Sequence, residues 1–495
     1  MTEPLFTGAD WNFDLLAKSL EAVEEIGKKE LGMSLYPNQI EIISSEQMLD
    51  LYSSVAMPVM YNHWSFGKRL IKDQANYRKG NIGLAYEIVS NTSPAIAYLM
   101  EDNTMIMQLL VLAHASVGHN YCFANNYMFK QWTDAEGIVD YLIFAKKYIT
   151  DCESRYGFDA VEKLLDSCHA LQNLGVDKYK RPARLNPQQE EARLQERLDE
   201  WDRNQTEMWY TLDKRGRRGR PRATQLLEEP EDNVLYFIEK NSPILKPWQR
   251  EIVRIVRKVA QYFYPQRFTK VLNEGIATFT HHWILNHLYD QGLITNGHMI
   301  EWMASHANVV YQPNYDSRHY SGINPYALGF AVFRDIQRMA VNPTEEDRIW
   351  FPKLVGTDWK SAMRAAATEY RDDSFISQWL SPKVARDMKL FGIVDNKTNS
   401  DIVVNAIHNE QTFVELRSQL AQQYDANAYD PNIQVVEADL KGTRTLTLQH
   451  RIVANRGLDK NTTVMLEHVK RLWGYPVTLR SVTSNDTVMQ THTAT

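Results

Sequence analysis

At 495 residues the chain is too long for one simple hydrophobic core, so two or more domains are expected. A hydrophobic fraction of 44% is that of a folded globular protein, and a net charge of −6 excludes a general pull toward nucleic acid or anionic membranes. Three widely spaced cysteines (Cys122, Cys152 and Cys168) argue against a disulfide framework, and the N-terminus lacks the basic and apolar regions of a secretory signal.

Residues 11–31 predict an amphipathic helix, because Trp11, Leu15, Leu16, Leu20, Val23 and Ile26 recur at helical spacing and Gly32 follows the last turn. Residues 41–57 and 82–118 read as mostly helical. The apolar run from Met105 to Ala115 is about half the length of a membrane span, so no membrane partner and a cytoplasmic location are expected. Val161 to Leu174 predicts a further helix, with Gly175 at its end. The stretch 178–233 is dominated by charged and polar residues and reads as an insertion or linker, part of it (189–210) a solvated helix. Within it, Arg218-Gly-Arg-Pro221 resembles an AT-hook core. Four residues in a charged loop are read as solvated chain, and nucleic acid is not expected as a partner.

Helices resume at 246–263, where Trp248, Ile252, Ile255 and Val259 form one stripe, and continue through 266–291, 297–308, 325–341 and 358–371. Beyond residue 386 the pattern changes. Phe391–Val394, Ile402–Ile407, Ile433–Ala438 and Thr445–His450 read as strands, Gln411–Tyr424 and Thr462–Trp473 as helices, and Val477 opens a last hairpin. The expected fold is therefore a mainly α domain over 1–385, interrupted by the 178–233 insertion, and a small C-terminal α+β domain over 386–495.

Two segments carry candidate chemistry. In Leu112-Ala-His114-Ala-Ser-Val-Gly-His119 the histidines are five apart, about 140° out of line on an ideal helix, unless Gly118 bulges the helix and brings His119 round. In Leu272-Asn-Glu274-Gly-Ile-Ala-Thr-Phe-Thr-His281, Glu274 and His281 lie two turns apart and only about 20° out of register. The apolar neighbours Leu272, Ile276, Phe279 and Trp283 bury that face, where a charge needs a partner or a metal. Glu87 and Glu101 are candidates for a general base. His63, His169 and His306 read as satisfied core histidines. No GxxxxGK[ST], GxGxxG or GxSxG motif occurs, so nucleotide hydrolysis, Rossmann chemistry and a serine elbow lack support.

The Asn273-Glu-Gly stretch resembles the helix that supplies the third zinc ligand in thermolysin-like metallopeptidases, and Val111-Leu-Ala-His114 resembles the start of their HExxH helix. The resemblance implies a metallopeptidase-like helical core with zinc held by His114, His119 and Glu274, and His281 as a fourth ligand or a supporting group. Position 115 is alanine where that motif has its glutamate base, so a carboxylate such as Glu87 would have to take the proton. Several further segments are similar to the SpoVR family (stage V sporulation protein R-like), in its version from non-sporulating proteobacteria. They are Trp11-Asn-Phe-Asp, Met57 to Gly67, Glu87-Ile-Val-Ser-Asn-Thr-Ser-Pro94, Leu112 to Asn126, Asp166-Ser-Cys-His169, Gly175 to Pro182, Leu272-Asn-Glu-Gly275, Ser321-Gly-Ile-Asn-Pro-Tyr-Ala-Leu-Gly-Phe330, Asp373 to Gln378 and Leu380-Ser-Pro382. Ile276, Thr280 and His282 stand where that family usually has aromatics, while Glu274 and His281 are kept. The resemblance implies a link to stress and stationary phase or spore cortex formation. It also implies a PrkA-type serine protein kinase and a von Willebrand-like protein as partners. Two readings follow: a zinc-dependent, hydrolase-like protein, or a non-catalytic scaffold that acts with the kinase.

Overall fold

Asn38-Gln-Ile-Glu-Ile-Ile43 alternates between outward and inward side chains, and this period of two makes it a strand. In the computed structural model it is β1 (Asn38–Ile43), and it pairs in parallel with β3 (Ala95–Met100), which pairs antiparallel with β2 (Glu87–Ser90). The structure describes residues 3–78, 87–179, 230–394, 403–405, 410–425, 430–440, 442–453 and 457–495. The basic cluster around Arg218 and most of the 178–233 stretch lie outside these residues.

The helices expected at 41–57 and 82–118 are thus corrected. Only Ser45–Ser53, started by the Ser44–Gln47 capping box, is helical in the first. The described part of the second is two strands, then the short helix Met105–Val111 and a π-helix, Leu112–His119. β-branched Ile88, Val89 and Ile96 suit a half-buried sheet better than a helix. The remaining helical expectations within the described residues agree closely, and the helix expected at 189–210 lies outside those residues. Phe13–Lys29 starts at the Asn12 cap, Pro325–Val341 at the Asn324 cap with Pro325 in its first turn, and Thr462–Trp473 ends at Gly474 in the left-handed region.

Contacts divide the chain into two compact units, Met1–Lys147 with Phe263–Ala428, and Tyr148–Tyr262 with Tyr429–Thr495. The first is mostly helical. Its centre is the helix Lys270–Asp290, called here the glutamate helix, whose buried residues include Val271, Leu272, Ile276, Ala277, Phe279, Ile284 and Leu288. Such an all-round apolar helix belongs in a core. Its N-terminus is held by the buried Asp372 carboxylate, which accepts from the amides of Val271 at 3.0 Å and Leu272 at 2.9 Å. A two-stranded antiparallel pair, β4 (Gly392–Val394) and β5 (Val403–Asn405), also belongs to this unit.

The second unit contains a four-stranded mixed sheet in the order β6 (Ile433–Ala438), β7 (Leu446–Arg451), β8 (Val477–Val482), β9 (Val488–Ala494). β7 and β8 are parallel and are joined through Thr462–Trp473, which buries Leu466, Val469, Leu472 and Trp473. On the β6 side, Glu231 and Val435 exchange backbone hydrogen bonds of 2.9 and 2.7 Å. Among the described residues no helix is long and apolar enough to cross a membrane.

Two close approaches place the glutamate helix. A Cβ on Gly118 would stand 2.4 Å from Ala277 Cα, and one on Gly329 would stand 2.2 Å from the Val271 carbonyl oxygen and 2.5 Å from Gly275 Cα. Those neighbours are backbone and cannot swing away. Gly118→Ala and Gly329→Ala are each expected to destabilise by about 1–3 kcal/mol. Gly67→Ala, on an exposed helix with open space around it, is expected to be neutral or to stabilise by up to about 1 kcal/mol. Thermal or urea melts of the three variants check this, and equal effects at all three would contradict the packing.

Candidate metal centre

The π-helix resolves the spacing of the two histidines. Its i→i+5 hydrogen bonds widen the turn, so residues five apart approach one face where an α-helix would separate them. Every residue from Leu112 to His119 is buried. The small side chains of Ala113, Ala115 and Ser116 and the bare Gly118 let this wider turn pack against the glutamate helix. The segment is pinned from outside as well. Asn38 donates to the Ser116 carbonyl at 2.9 Å, and Asn120 accepts from the Tyr36 amide at 2.8 Å.

His114, His119 and Glu274 converge, with one ligand atom from each within 4.8 Å of the others. His119 Nε2 lies 3.4 Å from Glu274 Oε2, and His114 Nε2 lies 3.7 Å from the same oxygen and 3.8 Å from Glu87 Oε1. These distances are too long for charge-assisted hydrogen bonds, which run near 2.7–2.9 Å. The His119–Glu274 distance matches, and the His114–Glu274 distance approaches, the roughly 3.4 Å that separates two atoms each bound at about 2.05 Å to one tetrahedral ion. Glu274 Oε2 is buried with no hydrogen-bond partner. An orphaned carboxylate oxygen faced by two imidazole nitrogens fits a divalent cation, and the three residues can hold one.

The supporting contacts aim these atoms. His119 Nδ1 lies 3.0 Å from Asn273 Oδ1, so its proton sits there and Nε2 keeps a lone pair toward Glu274. His114 Nδ1 lies 2.9 Å from His281 Nδ1, and His281 Nε2 lies 2.8 Å from His306 Nδ1. Tyr326 stacks on His114 with ring centroids 6.3 Å apart. The Asn324 cap and Pro325 put this tyrosine in the first turn of its helix.

Burial and neighbours separate the two carboxyls. Burial pushes Glu274 up, but the imidazoles of His119 and His114 and the nearby Tyr326 hydroxyl outweigh it and hold the carboxyl below its ordinary value. Burial pushes Glu87 up, against the opposing pull of His114 and with the help of the Glu274 charge. Burial lowers His119 and His282 to about 4 and His306 to about 3, and it drives His281 well below its ordinary value with neighbouring histidines adding to the effect. Burial, then the charges of Glu274 and Glu87, raise Tyr326, which stays a hydroxyl donor.

Of the residues singled out from the sequence, His114, His119 and Glu274 come together and Glu87 stands beside them. Both ring nitrogens of His281 are engaged by other histidines, so it supports His114 from behind. Glu101 is exposed at the surface. His63 Nδ1 pairs with Ser65 Oγ at 2.6 Å, and His169 is half-buried on Phe158–Ala170. Sequence reasoning missed Asn273, Tyr326 and the part played by His306. Asn273 and Tyr326 fall inside the segments that carried the family resemblance, which was the available signal; nothing marks His306 in Ser-His-Ala-Asn.

The fold and donor set thus define a mostly helical protein with a buried His–His–Glu cluster suited to a metal ion. Residues 10–429 match the family described as SpoVR like protein and residues 431–484 the SpoVR-like C-terminal domain, and the chain belongs to the SpoVR family. It is 54% identical over 481 residues to a protein of Escherichia coli (strain K12) named "Uncharacterized protein YcgB", an alignment covering 97% of this chain and 94% of that one. No solved structure matches.

The buried imidazoles set a pH dependence. Their folded pKa values lie below the unfolded value of about 6.5, so the unfolded chain binds more protons as pH falls. Stability is full above pH 6.5 and is lost as pH drops toward 4. Glu87 and Asp372, both held up by burial (Asp372 to about 7), run the other way, but two carboxyls do not offset four imidazoles. For chelator-treated protein, His119, His282 and His306 are each expected to contribute on the order of 1–2 kcal/mol to the loss between pH 7 and pH 5. Urea melts at the two pH values check this, and an unchanged midpoint would contradict neutral buried histidines.

Proposed function

We propose that the protein is a zinc-dependent, hydrolase-like enzyme built on a metallopeptidase-like helical core. The donor spacing around the orphaned Glu274 oxygen carries this reading. In it, His114 Nε2, His119 Nε2 and the Glu274 carboxylate would hold the ion as a His₂Glu set. When bound, zinc supplies a Lewis acid and lowers the pKa of a coordinated water to about 7.

The chain's own groups do the rest. Glu87, beside His114 Nε2, is placed to take a proton from the attacking water and return it to the leaving group. Burial raises its pKa, which makes its carboxylate a stronger base than an exposed one. Tyr326 offers a hydroxyl to a developing negative oxygen. The substrate class is a peptide or amide bond, with a cell-wall peptide amide favoured by the family context of cortex formation and stationary-phase stress.

One observation favours a second reading. Ala115 stands where an HExxH helix carries its base, and it is fully buried. A non-catalytic protein that keeps the metal cluster and docks a PrkA-type serine protein kinase and a von Willebrand-like protein would combine retained ligands with a lost base.

Elemental analysis of untagged full-length protein tests the metal cluster that both readings keep, and hydrolysis by the zinc-loaded protein separates the two. About one zinc per chain is expected, falling below about a tenth in Glu274→Ala and His119→Ala. Glu87→Gln is expected to keep its zinc and lose about 10²–10⁴-fold of wild-type hydrolysis of chromogenic peptide amides. Wild-type protein that folds but carries no zinc would overturn the metal reading. Zinc-loaded protein that hydrolyses none of them would favour the scaffold.

A further inference from the structure

A neutral imidazole has one N–H and one lone pair, so a chain of imidazoles linked nitrogen to nitrogen must run in one direction. Here three are linked. His114 Nδ1 meets His281 Nδ1 at 2.9 Å, and His281 Nε2 meets His306 Nδ1 at 2.8 Å. His281 is fully buried and faces no water; His114 and His306 are 3% and 9% exposed and form the two ends. The chain crosses from the π-helix through the glutamate helix to the helix Asn296–Val309. At its far end His306 is packed by Phe330, Trp302 and His282.

We propose that occupancy of His114 Nε2 by a metal ion sets the direction of this chain, with His281 as the positioning residue and His306 as the terminus that reports the state. The proposal rests on the metal reading above. A metal at Nε2 takes that lone pair, so His114 must carry its proton on Nδ1 and donate to His281. His281 then carries its proton on Nε2 and donates to His306, whose own proton is left on Nε2. Without metal the arrangement reverses. Nε2 of His114 lies 3.7 Å from the ionised Glu274 and 3.8 Å from Glu87, and the negative charge held there favours a proton on that nitrogen. Nδ1 then accepts from His281, and His281 Nε2 accepts from His306 Nδ1–H.

The reversal balances. One proton leaves His114 Nε2 to solvent as the metal arrives. One crosses from His281 to His114, one from His306 to His281, and one is taken up from solvent at His306 Nε2. No charge accumulates along the chain. An imidazole also suits position 281 better than the carboxylate that commonly backs a metal-bound histidine, because the pocket already holds Glu87 and Glu274.

Selective ¹⁵N-histidine labelling of the full chain, with long-range ¹H–¹⁵N correlation spectra before and after one equivalent of zinc, tests this directly. The protonated nitrogen of His306 is expected to move from Nδ1 to Nε2, and that of His281 from Nδ1 to Nε2. The same tautomers in both states would overturn the proposal. A calorimetric zinc titration gives the second test. His281→Phe, which keeps the ring but offers no nitrogen, is expected to bind zinc 10–100-fold more weakly. His281→Gln, which can accept from His114 and donate to His306, is expected to recover most of that loss. Equal affinity in wild type and His281→Phe would overturn the positioning role while leaving the metal reading intact. No zinc binding by the wild type would overturn the metal reading itself, and this proposal with it.

Discussion

Backbone meeting backbone at two glycines is the constraint on which the site depends. Gly118 lets the π-helix rest on Ala277, and Gly329 lets the tyrosine-bearing helix rest on Gly275. Glu274 is the residue before that second contact, so its carboxylate is carried between two neighbours that cannot draw apart. Side chains of ordinary size at either glycine would separate the helices by more than the margin that metal ligation tolerates. The remaining supports, the Asp372 cap and the Asn38 and Asn120 bonds to the π-helix, fix rotation and height once that separation is set.

The electrostatics follow from the packing. Two carboxyls and several imidazoles are enclosed among apolar walls, where isolated charges are costly. Glu274 is kept ionised by the imidazoles around it, while Glu87 is pushed toward its neutral form. Two carboxyls with opposed tendencies beside one imidazole supply the contrast that the proposed roles of ligand and proton carrier would use. The histidines behind His114 stay neutral because they are dry, which makes them hydrogen-bond partners more than charges.

Much of the architecture was legible in the chain. Periodicity placed helices at 11–31, 325–341 and 462–473, and in the structure Asn12, Asn324, Pro325 and Gly474 set their ends by acting on the adjoining turn. The early sheet was misread as helix. Its strands are short, and Ile88 to Tyr98 presents apolar residues on both faces, so neither period stands out. In the site, Glu274 was legible because a carboxylate on a stripe with Leu272, Ile276 and Phe279 has no reason to be buried alone. His306 was not, because its partner His281 lies on another helix and no local spacing links them.

The chain alone determined the residue types of the donor set, the helical segments that bear them and, through motifs spread along its length, membership of the SpoVR family. These depend on short-range periodicity or on residue identity. Tertiary structure alone decided that His114 and His119 share a face, that Glu87 joins them from a strand, and that His281 turns its nitrogens to two other histidines. Each of those facts depends on how close one backbone can come to another, and that distance is set by side chains far away in sequence.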